Sequence, residues 1–137
     1  MLFVQDITTG AAVSRLAPTR TDMIVPGGVV VWVSVWFPPG SQGTLKCRVV
    51  MGDTPIFPRN AGTWLSGDGQ SIEWNEYIKT EAGANRLTIF TYNDDTSFSH
   101  LIQVRVNILP EWLADPRKQF RGIDSSLSKL LKMIGVA

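Results

Sequence analysis

Nucleophilic catalysis needs a nucleophile, a base to activate it and usually a third group to orient that base. This chain has one histidine, His100, and one cysteine, Cys47. His100 alternates with Ser99 and Leu101 at the start of an apolar strand pattern, which makes it a solvent-facing strand residue. Cys47 shares an alternating apolar face with Leu45 and Val49, the place of an inert core thiol. No G-x-S-x-G elbow is present. A structural zinc site needs about four ligands, more than one Cys and one His provide. Oxygen ligands for calcium stand at Asp68 and at Asn93, Asp94 and Asp95, but without EF-hand spacing, and Asx residues at turns serve turn geometry by themselves. Glu73 and Glu76 differ by three positions, so on one strand they point to opposite faces and cannot act as a glycosidase pair. The residues therefore predict no enzyme, no cofactor and no metal.

Aromatic and basic residues carry more information. The stretch VVVWVSVWF, Val29 to Phe37, is apolar at eight of nine positions. As a strand it would place Val29, Val31, Val33, Val35 and Phe37 on one face and Val30, Trp32 and Trp36 on the other. In a sandwich the second face is an outer surface. The other sheet would set Lys46 and Arg48 beside Thr88, Phe90 and Tyr92, then Gln103 and Arg105. Trp and Tyr arrays stack on sugar rings in carbohydrate-binding modules, and aromatic-basic faces stack single-stranded bases. A strand this apolar fits cover by protein better than a sugar platform, so Trp32 and Trp36 are expected to be covered.

Positioning these side chains falls to a succession of strand signals from Thr21 to Leu109. TLKCRVVM, RLTIFTY and HLIQVRVNIL alternate cleanly. They put Leu45, Cys47, Val49, Leu87, Ile89, Ile102, Val104 and Val106 in a shared core. Turn chemistry interrupts at PGG, PPGSQG, GDTP, PRNAG, SGDGQ, TEAGAN and NDDTS. SGDGQ and NDDTS read as hairpin tips. Residues 1–20 read as an N-terminal arm with a short strand in MLFVQDI, residues 21–109 as the sandwich, and residues 110–137 as a connector with a docking helix. The connector has anchors at Trp112, Leu113 and Phe120. The helix is capped by Asp124 and stopped by Gly135. Its apolar stripe is Ile123, Leu127, Leu130, Leu131 and Ile134. A helix this short is marginal alone, so the stripe must dock, on its own sandwich, on a second subunit or, least favoured because only two lysines flank it, on a membrane surface.

The 137 residues fit one domain, and 18% charged with 44% hydrophobic residues is a globular composition. A net charge of +1 supplies no global basic field, which argues against nucleic acid. From Pro110 onward five basic residues face three acidic ones, too weak a surplus for a nucleic-acid tail. One cysteine excludes an internal disulfide. MLFVQDITTG lacks the basic and apolar regions of a secretory signal. The run Val29 to Phe37 is half the length of a membrane-crossing helix.

Seven or so short strands with no helix between them imply an all-β antiparallel sandwich or barrel, of which the sandwich is the expectation. EAGANRLTIFTYNDDTSFSHLIQVRVNI, Glu81 to Ile108, resembles the last two strands of immunoglobulin-like accessory domains of bacterial and viral surface proteins. Ala82-Gly83, Leu87-Ile89, Asp94-Asp95 and Val104-Val106 carry the match, and MIVPGGVVVWVSVWF looks like the first two strands. The resemblance implies an immunoglobulin-like sandwich serving binding, spacing or assembly, with a jelly roll as the rival topology. The Cys-Trp-Cys signature of antibody domains is absent. The expectation is a structural or assembly subunit with protein partners or self-association, such as a capsid-decorating or minor virion protein. The alternative is a carbohydrate-binding or adhesion module.

Overall fold

The computed structural model describes residues 1–114, 129–130 and 132–135. Among the described residues nine strands form two packed antiparallel sheets: β1 (Leu2–Thr9), β2 (Thr19–Pro26), β3 (Val29–Phe37), β4 (Leu45–Met51), β5 (Thr54–Phe57), β6 (Leu65–Ser66), β7 (Gln70–Lys79), β8 (Ala84–Asn93) and β9 (His100–Leu109). A single helical turn, α1 (Glu111–Ala114), follows. One sheet has the order β1-β9-β3-β7 and the other β2-β8-β4-β5, with β6 added to β4.

The pairs nest: β1 with β9, β2 with β8, β3 with β7 and β4 with β5. This is one long ribbon of paired strands rolled into a four-stranded and a five-stranded layer, the jelly-roll topology. Of the two topologies weighed from the sequence, the strand order is therefore that of the rival. Neither of the two turns expected to be hairpin tips is one. SGDGQ carries the chain from β6 to β7, and NDDTS from β8 to β9, each from one sheet to the other. Among the described residues only Gly52-Asp53, between β4 and β5, closes a tight hairpin. Asp68 serves its crossing by accepting the Gly40 N–H at 2.8 Å.

Residues expected to be an arm form β1, paired to β9 in continuous register from Leu2↔Asn107 to Thr9↔His100. The arm is a strand of the sandwich because its inward positions, Phe3 and Ile7, have a core to join. Across the layers, Thr9 and Thr91 are fully buried and share a hydrogen bond at 2.7 Å.

The core contains all eight residues expected there, Leu45, Cys47, Val49, Leu87, Ile89, Ile102, Val104 and Val106, each essentially without solvent contact. In β3 the alternation departs from expectation. Against β9, Val30 faces Ile108 while Trp32 already faces Asn107. Val31 is thus an extra residue, a bulge, and the faces exchange there. Val30 joins Val33, Val35 and Phe37 in the core instead of lying beside Trp32.

The PGG turn between β2 and β3 requires glycine by close approach. A Cβ on Gly27 would stand 2.6 Å from the Glu81 carbonyl oxygen, and one on Gly28 2.6 Å from that of Leu109. Gly28 N–H donates to Thr80 Oγ1 at 2.7 Å, fastening the turn to the end of β7. No helix among the described residues is long and apolar enough to cross a membrane.

Candidate interaction faces

The groups that first suggested chemistry are occupied structurally. His100 is not solvent-facing: its side chain is 11% exposed, and Nε2 lies 2.9 Å from Asp95 Oδ2. The NDDTS crossing buries it. Asp95 Oδ1 accepts the N–H groups of Ser97 and Phe98 at 2.9 and 3.1 Å. The Ser97 N–H first, and His100 next, hold the Asp95 carboxyl below its ordinary value. Asn93, fully buried, donates to the Gly10 and Phe98 carbonyls and accepts the Asp95 N–H. Burial pushes the Cys47 thiol up to about 12, so it carries no thiolate near neutrality. Glu73 points outward, whereas Glu76 turns toward the core edge. There Glu76 accepts from Trp74 Nε1 at 2.8 Å and pairs with Arg59 at 2.9 Å. Burial raises its pKa, but the bonds from Arg59 and Trp74 outweigh that, and the net shift is downward. Among the described residues no three His, Cys, Asp or Glu side chains cluster as a metal site.

Two outer faces remain. On the β1-β9-β3-β7 sheet the register sets three rows across the strands: Leu2, Asn107, Trp32 and Asn75; Val4, Arg105, Ser34 and Glu73; Asp6, Gln103, Trp36 and Ser71. Trp32 and Trp36 are half-buried, one on each side of the middle row that holds Arg105, Ser34 and Glu73. Arg105 Nε donates to Gln103 Oε1, and Gln103 Nε2 donates to Asp6 Oδ1 at 2.8 Å, a polar chain running across β9 to β1. Ser34 is completely buried between the tryptophans, and its hydroxyl finds no hydrogen-bond partner among the described residues. Arg105 and Gln103 were expected on the opposite sheet. They lie here because β9 inserts between β1 and β3.

On the β2-β8-β4-β5 sheet, Lys46 stands opposite Tyr92 and Arg48 opposite Phe90, as expected. Two features were not legible in the sequence. Trp64, from the irregular segment before β6, meets Tyr92 edge to face with ring centroids 4.7 Å apart. It also covers Arg48, whose guanidinium carbon lies 5.0 Å from the Trp64 ring and 5.3 Å from that of Phe90. Tyr92 is consequently buried. Second, β2 pairs with β8 and brings Arg20 opposite Phe90 and Ile24 opposite Arg86. Only the abundance of turn residues around Trp64 hinted that it belongs to no regular strand.

The tail differs in part from its expected anchoring role. Trp112 is 64% exposed and Leu113 is exposed too. Residues 129, 130, 132 and 133 are helical, and Gly135, with φ of 75°, ends the helix as expected. Leu130 and Ile134 of the stripe are 54% and 63% exposed. Phe120, Ile123, Asp124, Leu127 and Leu131 lie outside the described residues.

No protein-family model matches the sequence, and no curated protein shows significant similarity to it. The class defined by fold and faces is thus an all-β jelly-roll sandwich with two aromatic-basic outer surfaces.

Proposed function

We propose that the protein is a non-catalytic structural and assembly subunit that meets a protein partner, another copy of itself included, through the outer face of the β1-β9-β3-β7 sheet. A virion component is the most specific form of this reading. The observation that carries it is the grid of Trp32, Trp36, Arg105, Gln103 and Asp6, rimmed by exposed Leu2, Val4, Tyr77 and Leu101. Trp, Tyr and Arg are the side chains enriched where protein interfaces bury their centres. Jelly rolls build viral shells and lectins alike, which supports the reading by fold analogy alone.

The same face favours one second reading, a carbohydrate platform. Arg105, Glu73 and Asn75, outward-facing beside the two indoles, supply the polar neighbours that sugar hydroxyls need. Sedimentation with iodide quenching of tryptophan separates the two. Assembly predicts a mass above the monomer that falls to the monomer in a Trp32→Ala, Trp36→Ala variant. A strictly monomeric protein whose quenching falls when an oligosaccharide is added would replace assembly with carbohydrate binding.

A further inference from the structure

The second outer face contains a cleft of about 490 Å³ lined by Arg20, Arg48, Val50, Gly52, Asp53, Arg86, Thr88 and Phe90. Three guanidinium groups thus share one concavity on a chain whose net charge is only +1. Their placement follows from the ladder. Arg20 on β2 and Arg48 on β4 flank Phe90 on β8, about 10 Å apart at the backbone. Arg86 lies four residues along β8 from Phe90, on the same face.

The three arginines differ in how they are held. Arg20 and Arg86 are both exposed and share Asp22, at 3.4 and 3.8 Å, leaving most of their donors to solvent. Asp22 also accepts from Thr88 at 3.1 Å, so its oxygens are divided among three donors. Arg48 has no carboxylate partner among the described residues. Its Nε is buried with no hydrogen-bond partner there, and its guanidinium is fixed between the rings of Trp64 and Phe90. A guanidinium immobilised by aromatic faces is ready for an oxyanion because little freedom is lost on binding. Asp22 and Asp53 leave the cleft a surplus of one positive charge, and adding an oxyanion completes the pairing of Arg48.

We propose that this cleft binds a phosphate group, with Arg48 as the fixed fork and Arg20 and Arg86 as flanking arms. Phosphate fits better than carboxylate because its oxygens and nearly double charge serve several guanidinium groups at once, whereas a carboxylate satisfies a single fork. The site is on the sheet opposite the tryptophan face, so its failure would leave the assembly reading untouched.

The test is a titration of the full chain with inorganic phosphate, and separately with phenyl phosphate, at constant pH and ionic strength. It is followed by NMR of the arginine Nε–H groups, with acetate as control. The expected result is saturable shifts at Arg20, Arg48 and Arg86 with millimolar or tighter affinity. Preference for phenyl phosphate would assign the natural ligand to aromatic phosphoesters, and equal affinity to phosphate itself. Arg48→Lys keeps the charge but loses the fork and should weaken binding about tenfold. Should that variant fail to fold, exposed Arg86→Gln and Arg20→Gln carry the test, each weakening binding severalfold with thermal stability unchanged. Absence of saturation, acetate binding as tightly as phosphate, or affinity indifferent to these substitutions would overturn the proposal.

Discussion

Asn93 shows how much one buried amide does in this fold. It ties the β1–β2 connection to the NDDTS crossing through Gly10, Phe98 and Asp95, while its own backbone N–H donates to Val13 at 3.0 Å. Asn93→Ala would leave three backbone groups without partners and should cost about 2–4 kcal/mol, read from the denaturant midpoint. Glu76 and Asp95 make a pH prediction. Both carboxyls are depressed below ordinary values of 4.5 and 3.8. A depressed carboxylate contributes stability that is fully present above the unfolded value and is lost as pH falls through the folded one. Thermal melts should therefore drop as pH falls below about 4.5, and the drop should be shallower in Glu76→Gln. That variant should itself cost about 1 kcal/mol at neutral pH, a modest amount because Arg59 is largely exposed.

At the level of elements, β9 is the strand on which the first sheet depends, pairing with both β1 and β3. Val104→Asp would bury an unpaired charge at a fully enclosed position and should abolish cooperative unfolding. The β2–β3 turn makes a subtler case. Gly28→Ala drives a methyl into the Leu109 carbonyl and should cost about 2–3 kcal/mol, measured by chemical denaturation. These strands are legible in the sequence because period-two alternation in TLKCRVVM and HLIQVRVNIL has one physical cause, a sheet with one face inside. Their partners are not legible. A Gly-Asp or Asn-Asp turn has the same chemistry whether the chain doubles back in its sheet or crosses to the other. That ambiguity is why Arg105 was expected on the sheet of Lys46 and is found opposite Ser34, between the rows of Trp32 and Trp36. The β3 bulge is hidden for a related reason: in an unbroken run of valines no residue marks where the faces exchange. Trp64 escapes periodicity altogether, because it reaches Arg48 from an irregular segment.

For the whole molecule, the nested pairing means that among the described residues β1 has one ladder neighbour, β9, the last of the nine strands to be synthesised. Contacts of such long sequence separation place folding in the millisecond-to-second range, roughly, typical of non-local β proteins. During synthesis β1 must wait with its backbone donors and acceptors open until β9 has emerged. Meanwhile a neighbouring chain's β9 offers the same ladder. Strand exchange between copies is then a competitor of correct closure, favoured by concentration rather than by any new contact. Refolding at high protein concentration should yield a dimer fraction that a disulfide between engineered cysteines at Val4 and Arg105, cross-strand partners on the outer face, would trap between chains. Dilute refolding should give the same bond within one chain, and denaturing electrophoresis without reductant distinguishes the two.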